Sequence, residues 1–521
     1  MSTALKTSLD LDTKKGKNTK EKIENTFTDE LIFGICSPIG SLTKPIIDLS
    51  KENLKTIYGY DDVFVIKISD LILQHYGKVK ELELYEKHTE EYSNLKHKIE
   101  GGNFLRKEYN NNSILIELAI KRIREDRLET NSEDILGRRV CYIIDSIKNI
   151  EELELLRAVY RDIFYMFSVF SPDKERIDSL HEKGLSKPEA KEIISTDEHE
   201  DIEHGQNVRD TFVDGDFFVR SSNSNNKNTI LAMEKYLHLI FNSKITTPTS
   251  HETAMYFAKS AAGNSSCLSR QVGATIIDVN GVPIAQGWND VPKAGGNLYR
   301  DSHEKTHRCF ELGHCTNVIH KEDIFSEIIS EIENILPDEQ VGTVFKPTKR
   351  KKSELAIEIE KVIRNSKFKN IIEYSRSIHA EMHAIVIGSQ LTGNKMVGGD
   401  LFCTTYPCHN CARHIVLAGI KNIYYIEPYK KSLCLTLHSD SLTENEDDTS
   451  KVRILLYDGV APRRYLEFFS IKNDNRKNKD GTVNNPVLTT IPPKNRLSLQ
   501  SIPVLEGQAI HALNECGILK I

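Results

Sequence analysis

Two short stretches constrain this chain more than anything else in it: His379-Ala380-Glu381 and, further along, Pro407-Cys408-His409-Asn410-Cys411. A Cys-x-x-Cys pair offers two thiolates at a spacing that lets the start of a helix present both to one metal ion. Pro407 suits the entry to such a turn, and Ala412 to Ala418 reads as the continuing helix, whose N-terminal partial charge favours thiolate. A catalytic zinc site takes three protein ligands and keeps one position open. The third ligand must come from elsewhere, and His379 is the natural candidate, so the fold must carry two separated segments to one point. Glu381 stands two residues beyond the histidine, beside the metal without ligating it. A carboxylate there can take a proton from water activated at the metal and return it to a leaving amine.

Taken singly these features are ordinary. A lone histidine is usually a core or surface residue, and a lone Cys-x-x-Cys is often structural zinc or redox. The order H-x-E…P-C-x-x-C, however, is the signature of zinc deaminases. Composition narrows the surroundings. At 521 residues the chain exceeds what one core usually supports, so two domains are expected. The net charge of −6 argues against a dedicated nucleic-acid binder. No apolar run is long enough to cross a bilayer. Ten cysteines without a secretory signal make the cytoplasm the expected compartment, where a close pair is more often a metal or redox site than a crosslink.

The Lys-, Thr- and Asn-rich residues 1–28 read as a mobile tail. Apolar runs at Leu31 to Ile35, Val63 to Ile68, Arg139 to Asp145 and Asp162 to Phe170 alternate with helical patterns at Ser113 to Arg127 and Glu151 to Tyr160. That alternation predicts a parallel sheet covered on both faces in a first domain, residues 29–245. The second domain, 246–521, opens with a helix from Thr249 to Ala262. A hairpin follows, Gly273 to Val279 and Val282 to Gln286, in which Asn280-Gly281 supplies positive φ angles. Residues 321–374 are charged enough to be a surface insertion with helices. A strand near Ile423 to Glu427, the acidic loop Thr443 to Ser450 and a run from Arg453 to Asp458 close the pattern.

Cys267 to Pro292 resembles the first hairpin of deoxycytidylate deaminases. "SIHAEMHAI" and "TTYPCHNCARHIVLAGI" resemble their metal motifs, and Asp458 to Phe469 their closing segment. The likeness covers about residues 249–470 and implies a cytidine-deaminase-like α/β/α domain. It implies that His379, Cys408 and Cys411 hold zinc, that Glu381 shuttles protons, and that Asn289 and Ala380 contact substrate. Trp288 stands where the family usually has Tyr or Phe. The cluster His303, His307, Cys309, His314 and Cys315 reads as a polar loop with buried cysteines or as an additional structural zinc site.

In the first domain "GICSPIGSLT", Gly34 to Thr43, follows a strand and opens a helix as a phosphate-binding loop does. Counted from Gly34, Ile39 and Gly40 fall where Gly and Lys belong, while Ser41 fits the hydroxyl position. Backbone N–H groups can still cradle phosphate, so Gly34, Gly40 and Ser41 are the candidate nucleotide-binding residues, with Mg²⁺ as an accompanying ion. Phosphoryl transfer is not expected without the lysine. Val140 to Asn149 resembles a kinase strand ending in Asp145, and Ser171 to Leu180 the Arg-bearing lid of nucleoside monophosphate kinases. A degenerate P-loop kinase-like domain ahead of a deoxycytidylate-deaminase domain resembles the bacterial anti-phage dCTP/dCMP deaminases. That resemblance implies depletion of deoxycytidine nucleotides during infection; likeness to deoxycytidylate deaminases implies a homo-oligomer, hexameric by family analogy. Related defence systems suggest an inhibitory RNA or other regulator, and the phosphate-type loop suggests a nucleotide effector. The rival expectation is a polynucleotide cytidine or adenosine deaminase acting on tRNA or single-stranded DNA. One tryptophan, 7% aromatics and a negative net charge disfavour a strand-holding surface.

Overall fold

A computed structural model of the chain describes residues 18–520, apart from 77–87, 130–137, 200–204, 304, 336–353, 367, 369–370, 430–431 and 472–475. The chain divides into two compact units, residues 1–252 with 457–521 and residues 253–456. Among the described residues no helix is long and apolar enough to cross a membrane.

The first unit is built on a six-stranded sheet ordered Gly459–Val460, Phe217–Arg220, Phe164–Phe170, Leu31–Cys36, Val140–Asp145, Asp62–Lys67. The last five run parallel, and Gly459–Val460 adds an antiparallel edge. All six residues of Leu31–Cys36 and all seven of Phe164–Phe170 are buried, so both faces of the sheet are covered, as near-continuous apolar runs predict. One face packs Phe33, Tyr165, Phe167 and Phe217 against Ile46 and Leu54 of helix Lys44–Thr56 and Met233, Tyr236 and Leu237 of helix Asn226–Phe241.

Three boundaries differ from the sequence reading, the internal one only slightly, at 252/253 where 245/246 is expected. Residues 18–28, expected within the tail, contain helix Thr19–Glu24, capped by the Asn18 side chain, and strand Phe27–Thr28, which pairs with Leu497–Ser498. Residues 1–17 of that expected tail lie outside the described residues. Residues 457–521, expected with the second domain, belong to the first unit. Phe468 packs on Tyr165 and Phe217. Helix Ile502–Cys516 sends Glu506 into the interior, where Arg127 sits between it and Glu30 at 2.5 and 2.7 Å, with all three side chains at most 2% exposed.

The second unit has a mixed six-stranded sheet: Leu442–Thr443, Val452–Leu456, Asn422–Glu427, Asp400–Thr405, Gly273–Ile277, Pro283–Trp288. The first four are mutually parallel, and the last two form the antiparallel hairpin. Gly281 takes φ +78°, but Asn280 does not share the positive φ expected of it. The Asp278 carboxylate instead accepts from Asn280 N–H and Val282 N–H, and the register shifts at Ile276/Ile277. Two glycines let helices approach the sheet from opposite sides. A Cβ at Gly273 would meet Ala258 O at 1.9 Å in helix Ser250–Ala262, and one at Gly287 would meet Ala380 O at 2.3 Å at the start of helix Ala380–Thr392. Gly287 pairs with Ala274, the neighbour of Gly273, so the two glycines face opposite ways and the unit is an α/β/α sandwich. In the insertion, helices Thr316–Ile335 and Glu354–Asn365 are joined by Arg364–Glu322 at 2.7 Å. The basic run Lys346 to Lys352 lies outside the described residues.

Candidate active site

The two metal motifs fold in the same local way. His379 is the N-cap of helix Ala380–Thr392 and Cys408 the N-cap of helix His409–Leu417, both in extended backbone and neither spending its side chain on capping. Their side chains are therefore free to point beyond the helix ends, where the unpaired N–H groups leave a partial positive charge. They converge: Cys408 Sγ lies 3.2 Å and Cys411 Sγ 3.4 Å from His379 Nδ1. Among the described residues these three form the one group of metal-type donors whose ligand atoms lie within 4.8 Å of one another. One nitrogen and two sulfurs, with both cysteines buried, are the donor set zinc prefers, and one coordination position is left over.

The electrostatics suit that occupant. The Cys408 thiol is held well below its usual range, first by its hydrogen bond with Cys411 and then by His379. Cys411 is pushed up, chiefly by the same bond seen from the other side. His379 rises to about 9, first through its hydrogen bond to Cys408. Glu381 is 4% exposed, and burial, assisted by the Cys408 charge and opposed by His379, pushes its carboxyl up to about 7. A carboxyl held there exchanges a proton readily near neutrality, as a group that must accept and then donate one requires.

Ala380 adjoins this centre in sequence, while the Asn289 side chain is bonded at both ends to the backbone of residues 270–272. Asn289 is buried, its Nδ2 donating to Arg270 O and its Oδ1 accepting from Val272 N–H, both at 2.8 Å. Its neighbour Asp290 accepts at its carbonyl from Ile378 N–H at 3.0 Å, which clamps this loop to the residue before His379. Ala380 is fully buried against Gly287.

Sequence reasoning passed over His383, one helical turn beyond His379. Its Nδ1 accepts from Trp288 N–H at 3.2 Å, which leaves Nε2 to carry the proton and donate to Asn297 Oδ1 at 3.2 Å. Burial lowers its pKa, favouring this neutral form. Trp288 meets the imidazole edge to face, and Arg300 lies 5.3 Å from the indole. The i, i+4 repeat of histidine in "HAEMH" was the available signal. The His303-to-Cys315 cluster forms no such ligand group among the described residues. His303 bonds Lys293 and the Arg300 backbone, and burial raises Cys309, with Cys315 and Cys267 adding to the rise.

The phosphate-loop candidates lie in the first unit. Gly40, at φ +83°, and Ser41 are in the loop 37–43, but Gly34 is not. It pairs inside strand Leu31–Cys36, and a Cβ there would strike Ile147 at 2.5 Å and Phe164 at 2.9 Å. Close packing accounts for that glycine without any ligand.

Residues 248–427 match the family described as the cytidine and deoxycytidylate deaminase zinc-binding region. The chain is 28% identical over 180 residues to the deoxycytidylate deaminase of Enterobacteria phage T4, covering 34% of this chain and 79% of that protein. It is 26% identical over 182 residues to the phage T2 deoxycytidylate deaminase, covering 34% and 81%. A 56-residue stretch is 46% identical to ComE operon protein 2 of Bacillus subtilis, of whose length the chain spans 29%. The solved dCMP deaminase of cyanophage S-TIM5 is 18% identical, with 41% of this chain and all of that one covered, at a TM-score of 0.22. Across residues 248–427, therefore, the chain is similar to the zinc-binding region of cytidine and deoxycytidylate deaminases, and to the phage deoxycytidylate deaminases over about a third of its length.

Proposed function

We propose that this protein hydrolyses the exocyclic amine of free deoxycytidine nucleotides, dCMP or dCTP, with zinc as cofactor, giving the deoxyuridine nucleotide and ammonia. The observation that carries the reading is the convergence of His379, Cys408 and Cys411 beside the buried Glu381. The choice of a free nucleotide is supported by the names of the two phage relatives.

His379 Nδ1 and the two sulfurs would hold the ion, which when bound supplies the Lewis acidity that makes water nucleophilic at neutral pH. Glu381 takes the proton that water gives up as its oxygen bonds to C4 of cytosine. It passes that proton to N3, then carries the proton of the new C4 hydroxyl to the exocyclic nitrogen, which leaves as ammonia while the C4 carbonyl forms. His383 holds the backbone at Trp288 and the side chain of Asn297, so the loop beginning at Asn289 keeps its place beside the centre.

The first unit acts in this reading as a nucleotide-binding regulator through Gly40 and Ser41, and depletion of dCTP serves antiviral defence. Both parts rest on the resemblance described above. The test is product analysis of purified protein, with its zinc content measured, against dCMP, dCTP, cytidine nucleotides and a cytosine-containing oligonucleotide. Conversion of dCMP or dCTP is expected. Faster turnover of the oligonucleotide would reassign the protein to polynucleotide editing.

A further inference from the structure

The loop 37–43 lies at the carboxyl end of strand Leu31–Cys36, next to strand Phe164–Phe170. The chain leaves the first strand toward Asp62–Lys67 at one edge of the sheet and leaves the second toward Phe217–Arg220 on the other side. Connections that depart in opposite directions open a crevice between adjacent strands, where open α/β sheets hold their ligands. The 13-residue helix Lys44–Thr56 begins at this crevice, and its N-cap Thr43 makes no side-chain capping bond. Ser41 is 9% exposed, and its Oγ has no hydrogen-bond partner among the described residues. A buried hydroxyl without a partner is costly unless something else satisfies it.

An anion already stands at this loop. The Asp197 carboxylate, 3% exposed, accepts from Ile39 N–H at 2.7 Å. It is paired with Lys148, whose Nζ lies 3.1 Å from Asp197 Oδ1 and donates to Ser37 O at 2.8 Å. Lys148 comes from the segment after strand Val140–Asp145, so a neighbouring strand brings to the loop the cation that the loop's own sequence lacks. Arg176 approaches from the other side, its Nε donating to Ile39 O at 3.0 Å. Backbone N–H, lysine and a waiting hydroxyl are the groups that recognise a phosphoryl oxygen.

We propose that the loop 37–43, Ser41 and Lys148 form a binding site for a phosphate group of a nucleotide, and that Asp197 occupies it as an internal anion that the phosphate must displace. The proposal rests on the regulator reading above and adds its gate. Two anions cannot share Ile39 N–H and Lys148 at hydrogen-bond distance without strong repulsion, so ligand binding and release of the carboxylate are one event. Asparagine at 197 keeps the shape and the acceptor for Ile39 but loses the charge.

The test is calorimetric titration of the full-length protein with ATP and with inorganic tripolyphosphate. Wild type should bind weakly and Asp197→Asn at least about tenfold more tightly, the order expected from removing one adjacent like charge. Lys148→Met should abolish binding in both backgrounds. The free Asp197→Asn protein should melt below wild type and be rescued by tripolyphosphate. If Asp197 is only half of a structural ion pair, the melting point falls with no gain in affinity. Equal, measurable affinity in wild type and Asp197→Asn overturns the gate and leaves the regulator reading standing. Binding by neither protein overturns both. Should Asp197→Asn fail to fold, hydrogen exchange at the Ile39 and Leu42 amides of wild type must change with tripolyphosphate, and unaltered exchange refutes the site.

Discussion

Gly287→Ala is a one-carbon change, at a residue with no side chain of its own to offer the chemistry, that should disable the centre. A Cβ at this position meets Ala380 O at 2.3 Å and Ala384 N at 2.4 Å, and both atoms are helix backbone rather than a movable side chain. Restoring ordinary contact near 3.4 Å requires the start of helix Ala380–Thr392 to retreat by about 1 Å. His379 caps that helix and Glu381 lies in its first turn, so both side chains move together, away from Cys408 and Cys411. Overpacking of this kind costs about 1–3 kcal/mol in stability, and a displacement of about 1 Å at a reacting group can cost on the order of 100-fold in rate. Gly273→Ala is the control. It strikes Ala258 and Ala262 of the helix on the opposite face, with contacts as short as 1.9 Å, and touches neither metal-bearing helix. Measured side by side for melting temperature, zinc per chain and dCMP turnover, both variants should lose stability. Gly287→Ala alone should lose turnover, and with it zinc affinity, beyond what its folded fraction explains. Turnover per folded molecule within threefold of wild type in Gly287→Ala would refute the claim that this close approach sets the geometry of the site.

Glu381→Gln should keep stoichiometric zinc while losing about 10²–10⁴-fold in turnover, whereas Cys411→Ser should lose the metal as well; elemental analysis beside product assays separates the two. Chelation by 1,10-phenanthroline should abolish deamination and added zinc should restore it; activity that survives complete zinc removal would rule out the metal's role. His383→Ala removes the acceptor for Trp288 N–H and the donor to Asn297, so KM for dCMP should rise about tenfold with zinc content unchanged, and His383→Gln should recover part of the loss. Arg127→Met leaves Glu30 and Glu506 buried together without their cation and should cost about 3–5 kcal/mol, read as a fall in the urea midpoint of the first unit.

The cluster of His379, Cys408 and Cys411 was legible because its geometry is local twice over. Each motif places its ligand at or beside a helix N-cap, so spacing within the motif already determines which side chains leave the helix end together. The parallel sheet was legible for a related reason: a strand buried on both faces must be apolar throughout, and Leu31 to Ile35 and Asp162 to Phe170 read that way. Strand pairs of two residues carry no such pattern. Gly459–Val460 and Leu497–Ser498 are too short to show a period, so the return of residues 457–521 to the first unit stayed hidden. Glycine misleads in its own way, because a missing Cβ serves a phosphate cradle and a crowded strand equally well. Gly34 belongs to the strand and Gly40 to the turn, and backbone pairing is what tells them apart. The same reasoning explains why the loop looked deficient when counted residue by residue. A phosphate site needs a cation at a point in space, not at a fixed offset along the chain. In the proposed site Lys148 reaches the loop from 111 residues away, together with the carboxylate that now neutralises it. A lysine missing from a motif therefore says little about binding until the neighbouring strand has been followed to its end.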